Sequence, residues 1–154
     1  MEHTSKAEES RHGLSNTHPI DVTWGDCDAA GVVFYPRYYA WFDTCTHALL
    51  SSADLDHHTL RHTYGLMGTP LVRASADFRS PATFGDRLRA TSVIVRVGQK
   101  SFTVAHRLYL ETRLVVEGTE VRVWAVADPS NAKKISARTI PTNVRDALMG
   151  KKRE

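Results

Sequence analysis

The apolar positions of this chain change period several times, and each change marks an element. Tyr38, Trp41, Phe42, Cys45 and Leu49 recur at three- and four-residue steps, the stripe of a helix that buries one face. Pro36 stands at the predicted first turn, where helical N–H groups have no intrahelical partner and a missing one costs nothing. The helix is predicted over about 36–51. Upstream, residues 19–24 alternate apolar and polar side chains and read as a first strand. Downstream, strands are predicted over 71–78, over 87–97 with its Val, Ile and Thr, and over 101–110. A tight turn at Gly98-Gln99 joins the last two. Phe102, Val104, His106, Leu108 and Leu110 fall on one face of 101–110, and that alternation fixes its register. A last long strand is predicted over 113–127, with Gly118 as a bulge. Residues 51–65 read as a solvated loop or short helix, 65–70 as a turn, 129–134 as a loop and 141–149 as a short terminal helix.

A strand, a long helix and four more strands give an α+β architecture, in which a twisted antiparallel sheet wraps its apolar face around one dominant helix. The chain has 154 residues, enough for one domain with a single core. That domain is expected over 19–150, between a polar N-terminal arm at 1–18, expected to be mobile, and a charged tail at 151–154. The arm carries no apolar run of the kind a secretion signal or a membrane span needs. Net charge is +3 with a pI near 9.0, which permits an anionic ligand. The basic residues are scattered rather than clustered, which argues against nucleic acid as a partner. Two cysteines, Cys27 and Cys45, imply no disulfide framework and point to the cytoplasm as compartment. Cys45 belongs to the apolar helix face. Cys27 lies between two aspartates, which discourage its thiolate.

The chemistry concentrates where Asp26-Cys27-Asp28 passes Gly31 and enters the helix. Free N–H groups and the positive end of the dipole at a helix start suit a carbonyl oxygen that gains negative charge. An acid beside such a site is a nucleophile or a base for acyl transfer. The same Asp-x-Asp also reads as simple capping, and it lacks the further oxygens that a calcium loop needs. Asp43 lies seven residues after Pro36, about two turns on, and is either an acid in a pocket beside the helix or an exposed surface acid. His58 and His62 are four apart, but a metal site needs a third rigid ligand, so no metal is expected.

Gly25-Asp26-Cys27-Asp28, Ala30-Gly31-Val32-Val33, Tyr35-Pro36, Tyr38-Tyr39, Trp41-Phe42-Asp43, Gly68-Thr69-Pro70 and Lys100-Ser101-Phe102 together resemble the hotdog-fold acyl-CoA thioesterases of the 4-hydroxybenzoyl-CoA thioesterase family. The resemblance runs from about residue 21 to about residue 141. It implies the hotdog fold, a five-stranded antiparallel sheet wrapped around one long central helix. It implies subunits paired into a homodimer or homotetramer, with sites at the subunit interface. It implies hydrolysis of an acyl-CoA to free acid and coenzyme A, with no cofactor beyond the coenzyme of the substrate. By the same resemblance Asp28 is the catalytic carboxylate, acting as nucleophile or as general base. Gly31 belongs to the catalytic segment, and the backbone N–H of Tyr35 polarises the carbonyl. Asp43 faces the acyl group, Thr69 lines the substrate pocket, and Lys100 and Ser101 meet the coenzyme tail. Arg96, Lys133, Lys134 and Arg138 are further candidates for its phosphates, and each also reads as a solvated surface charge. Asp26 is expected to hold the loop. The chain departs from the hydroxybenzoyl enzyme at Ala29, where that has proline, and at Phe34, where that has tryptophan; the loop between the helix and Gly68 also differs. The acyl group is read as aromatic, resembling hydroxybenzoyl, from Asp43 and the aromatic-rich helix. The alternatives are a thioesterase for short aliphatic acyl-CoA or for acyl groups on carrier protein, and a non-catalytic thioester-binding module. A hotdog dehydratase would want a histidine near the helix start, and His47 lies more than two turns along.

Overall fold

A computed structural model describes residues 13–151. In chain order the elements are β1 (Ser15–Asp21), a short 3-10 turn (Trp24–Asp26), α1 (Pro36–Ser51), α2 (His57–Tyr64), β2 (Leu71–Phe78), β3 (Arg87–Val97), β4 (Ser101–Leu110), β5 (Arg113–Val123), β6 (Ala125–Asp128), β7 (Asn131–Ala137) and α3 (Thr142–Leu148). Five strands form one sheet in the order β1-β3-β4-β5-β2. Every neighbouring pair in it is antiparallel. β6 and β7 form a separate hairpin.

One face of the sheet buries α1. Tyr38, Phe42 and Cys45 pack with Val22, Val33, Leu88, Ala90, Leu108 and Val116 at the end near the acidic loop. Leu49 and Leu50 pack with Leu55, Leu60, Phe102, Val104, Trp124 and Leu148 at the other. The stripe at three- and four-residue steps is thus the buried face. α2 is started by Asp56, whose carboxylate accepts the Thr59 N–H at 2.8 Å, and stopped by left-handed Gly65.

Five expectations need correction. β1 begins at Ser15, not at 19, because its polar residues pair with β3 along a sheet edge from Ser15↔Val93 to Asp21↔Arg87. Thr23 and Trp24 leave the strand for the 3-10 turn. The proposed arm at 1–18 therefore loses 15–18 to the sheet, and 1–12 lie outside the described residues, as do 152–154 of the expected tail. The strand expected over 113–127 breaks at Trp124, whose N–H donates to Lys100 O at 2.8 Å. The loop expected at 129–134 is instead the turn of the β6–β7 hairpin and the first half of β7.

Gly118 is no bulge. It pairs in register with Ala76 on one side and His106 on the other. A Cβ at this position would overlap the Ser75 carbonyl and lie 2.5 Å from Phe42 Cε2. The glycine lets the Phe42 ring lie on the sheet. Gly118→Ala is expected to destabilise the fold by about 1–3 kcal/mol, the usual penalty of overpacking, measurable by denaturant unfolding.

Among the described residues the edge strand β2 pairs only with β5. Its Leu71, Val72 and Phe78 are exposed. Among the described residues no helix is long and apolar enough to cross a membrane.

Candidate active site

The acidic loop is folded by its own hydrogen bonds. Asp26 Oδ2 accepts from the Thr23 N–H and from the Thr23 hydroxyl, both at 2.8 Å, and Arg37 Nε stands 3.7 Å from Asp26 Oδ1. The Asp26 carbonyl accepts the Phe34 N–H at 2.8 Å. Asp28 closes the tip. Its N–H donates to Val32 O at 2.9 Å and its carbonyl accepts the Gly31 N–H at 3.0 Å. Its Oδ1 accepts the Ala30 N–H at 2.9 Å. Gly31 has φ +79°, a left-handed conformation that side chains disfavour. Short bridges pair Cys27 with Val33 and Val32 with Thr83, tying the loop to the sheet end.

These bonds use up Asp26 and leave Asp28 available. The Asp28 side chain is exposed, and its Oδ2 has no hydrogen bond among the described residues. Tyr35 already has helical φ and ψ as the N-cap of α1, and Pro36 follows at the first position. Its carbonyl accepts the Tyr38 N–H at 3.1 Å. Its own N–H has no acceptor among the described residues. Asp28, Gly31 and Tyr35 thus share one loop at the positive end of a 16-residue helix, with an open donor for an oxygen that gains charge.

Asp43 lies farther along α1 and meets a buried polar chain. Arg122 Nη2 donates to Asp43 Oδ1 at 2.7 Å and to Glu120 Oε2 at 2.6 Å. Arg122 Nη1 donates to the Thr69 carbonyl at 3.2 Å. Glu120 Oε1 is 3.0 Å from His106 Nε2 and also accepts from the Thr46 hydroxyl. His106 Nδ1 is 2.7 Å from Ser92 Oγ. The Phe42 ring stacks on the imidazole at 4.8 Å, 6° from parallel. The second Asp43 oxygen is 3.5 Å from His47 Nε2.

Beside this chain lies a cavity of about 560 Å³ lined by His47, His57, Met67, Thr69, Arg122 and Ile135, among others. Gly68 bridges Ala125, and the Met67 N–H donates to Ala125 O at 3.2 Å, which sets the wall of residues 67–70 against the hairpin. Asp43 carries a half-exposed carboxylate beside the helix, not a buried one.

Burial opposes the charge on Glu120, but hydrogen bonds from His106, Arg122 and Thr46 outweigh it and hold the carboxyl at about 2. Burial also opposes the Arg122 charge, and Glu120 with Asp43 raises its pKa nonetheless. Burial pushes the Cys45 thiol up to about 12. A carboxyl whose folded pKa is depressed stabilises the fold above its ordinary pKa and loses that contribution as pH falls through the folded value. The Glu120 contribution, about 3 kcal/mol from the size of the shift, is therefore expected to disappear between about pH 4.5 and pH 2. Thermal melts across that range should show the loss, and Glu120→Gln should flatten it.

Lys100 and Ser101 stand apart from both groups, at the turn into β4. The Lys100 carbonyl accepts the Trp124 N–H, the Trp124 carbonyl accepts the Arg138 N–H at 2.8 Å, and the Ile140 N–H donates to Gln99 O at 2.9 Å. Lys100 and Arg138 are thereby held on one exposed strip. Lys133 and Lys134 lie exposed on β7 and Arg96 on β3. The His58 and His62 rings lie 4.3 Å apart on exposed α2. Among the described residues no group of three or more His, Cys, Asp or Glu could hold a metal ion.

Glu120 and Arg122 have no role in the sequence reading, which counts His106 with an apolar face. Their signal is the spacing of Gly118, Glu120 and Arg122, which places all three on one side of β5, opposite His106 on the neighbouring strand.

The sequence matches the model of the thioesterase-like superfamily over residues 22–148. It is 31% identical over 122 residues to the 4-hydroxybenzoyl-CoA thioesterase of Pseudomonas sp. (strain CBS-3), covering 74% of this chain and 85% of that one. The solved structure of 4-hydroxybenzoyl CoA thioesterase from Pseudomonas sp. strain CBS-3 superposes with a TM-score of 0.80 at 28% identity, covering 87% of this chain and 99% of the other. A solved gentisyl-coenzyme A thioesterase superposes with a TM-score of 0.73 at 32% identity, covering 86% and 98%.

Proposed function

From the premise that the chain belongs to the thioesterase-like superfamily, and so has the hotdog fold of an acyl-CoA thioesterase, we propose that it hydrolyses an aromatic acyl-CoA to the free acid and coenzyme A. The observation that carries this reading is the Asp28 carboxylate, held with one free oxygen in the loop that presents the open Tyr35 N–H. The thioester carbonyl oxygen would sit at that N–H, at the start of α1. Asp28 would then attack the carbonyl carbon, giving an anhydride that water opens, or take a proton from water as it attacks. Either route expels the coenzyme A thiolate. The route uses no group beyond the coenzyme of the substrate. An aromatic acyl group is favoured because the similar proteins named above act on 4-hydroxybenzoyl and gentisyl thioesters.

The acyl group would end near Asp43. Tyr35 and Asp43 are eight residues apart, about 12 Å along a helix, which is more than one benzoyl ring spans. A second copy with its α1 antiparallel to the first would bring its own loop to the Asp43 cavity. We therefore read the active unit as a homodimer or a homotetramer, joined through the bare edge of β2 and the exposed Tyr35 and Phe78. Lys100, Ser101, Arg96, Lys133, Lys134 and Arg138 are the candidates for the coenzyme phosphates, at the sheet end that carries the hairpin. Free Cys27 and Cys45 suit a reducing compartment such as the cytoplasm.

The test is release of free thiol from hydroxybenzoyl-, benzoyl-, phenylacetyl- and short and long aliphatic acyl-CoAs. Fastest turnover on the ring-bearing members is expected. Release from none of them, with binding retained, would sink the thioesterase reading and leave a carrier-protein substrate or a binding role.

A further inference from the structure

α2 is held to the rest of the molecule along one side. Leu60 is 3% exposed and belongs to the core cluster that holds Leu49 and Trp124. Tyr64, one turn on, stands edge-on to the Trp124 ring at 5.5 Å. Its hydroxyl accepts from Asn143 Nδ2 at 2.8 Å. His58 and His62 are each two positions from one of these anchors, about 200° round the helix, and both are exposed. Their ring centroids lie 4.3 Å apart, with the planes tilted by 40°. The N-cap bond from Asp56 and left-handed Gly65 fix the two helix ends between which the pair stands. Neither imidazole has a hydrogen bond or ion pair among the described residues.

We propose that His58 and His62 form an open two-imidazole site for a first-row transition dication of the Zn²⁺ class. Two histidines four residues apart on one helix face are a recurring zinc-binding arrangement, because their rings converge one turn apart. Nitrogens about 2.0–2.1 Å from a tetrahedral ion stand about 3.4 Å from each other. Rotation of two exposed side chains reaches that spacing from centroids 4.3 Å apart. Two protein ligands fall short of the closed set of a structural site, so water fills the remaining positions. Imidazole also selects the ion: it suits zinc, copper and nickel, whereas Mg²⁺ and Ca²⁺ take oxygen. Arg61 on the same helix opposes a cation, and exposed Asp54 and Asp56 just before it favour one. The nitrogen donors rather than the charge balance therefore carry the site. The ion links one turn of α2 directly before Gly65 and the cavity wall at 67–70. None of the segments behind the family likeness lies between Asp43 and Gly68, and the site is independent of the thioesterase reading.

The experiment titrates ZnCl₂ into the full chain by calorimetry, with MgCl₂ as the control ion, for the wild type, His58→Gln, His62→Gln and His57→Gln. All three positions are exposed on α2, so each variant should fold and melt as the wild type does without metal. The wild type is expected to bind Zn²⁺ and not Mg²⁺. His58→Gln and His62→Gln should each weaken Zn²⁺ binding by about tenfold or more, the scale on which lost metal partners act, while His57→Gln binds as the wild type. Zinc should also slow amide hydrogen exchange over 57–64 in the wild type and in neither His58→Gln nor His62→Gln, a readout at the helix itself. Zinc affinity unchanged in both of those variants would place the ion elsewhere and overturn the site. No zinc binding, or an equal response to Mg²⁺, would overturn it too.

Discussion

Asp28→Asn is expected to lower kcat by about 10³- to 10⁴-fold, the upper part of the range for a lost acid–base group, while acyl-CoA affinity changes by only a few-fold. The substitution is conservative where the fold needs it. An asparagine would keep a side-chain oxygen for the Ala30 N–H that Asp28 Oδ1 now accepts at 2.9 Å. The loop would keep its bonds to Val32 and Gly31, because these are made by the backbone. What disappears is the negative charge needed to attack a carbonyl or take a proton from water. A fall in kcat with an unchanged dissociation constant marks an interaction made only in the transition state. Asp26→Asn is the control. Asp26 is spent on the Thr23 bonds, so its loss should act through loop stability. If Asp28→Asn retained a tenth of the activity, the carboxylate would have to be sought elsewhere.

Arg122→Met is expected to cost about 3–5 kcal/mol of folding stability, the penalty for leaving one member of a buried ion pair alone. Arg122 lies between Glu120 and Asp43 at 2.6 and 2.7 Å. Glu120 is 2% exposed and would be left with hydrogen bonds but no counter-charge. Adding Glu120→Gln to Arg122→Met should recover much of the loss, since the buried charge goes with its partner. Denaturant unfolding of the two single variants and the double gives the coupling directly. Additive losses would mean that Arg122 contributes by packing rather than by charge.

The long helix and three strands of the sheet are legible in the sequence to the residue. The stripe from Tyr38 to Leu49 and the proline at its start set α1 (Pro36–Ser51). Turn residues between apolar runs set β2, β3 and β4. The start of β1 is not legible, because an edge strand gains its bonds from one neighbour and can carry Asn16, Thr17 and His18 without an apolar alternation. The break at Trp124 leaves no trace because Val-rich chain lies on both sides of it. In β5 the alternation itself misleads. Val121 and Val123 look like the inward residues and Glu120 and Arg122 like the outward ones, yet the charged pair is the buried one. Hydropathy favours the opposite phase, and only the ion pair of Glu120 with Arg122 and the hydrogen bond of Glu120 with His106 reverse it. The acidic loop is visible because its chemistry is local in sequence. The cavity is not, since Arg122 and Thr69 lie 53 positions apart.

Two residues of the cavity wall hang on little: Met67, with one bond to Ala125 beside the bridge from Gly68 to Ala125, and Ile135, on the two-stranded hairpin. Met67 and Ile135 are each about half exposed, and neither belongs to the two core clusters. Substitutions there can reshape the cavity with little penalty to folding and none to Asp28 or Tyr35, which stand at the far end of α1. On the proposed reading, choice of substrate and the means of cleaving it are carried by parts of the chain that can diverge independently. A lineage built on this plan can change its diet one wall residue at a time while keeping its chemistry fixed.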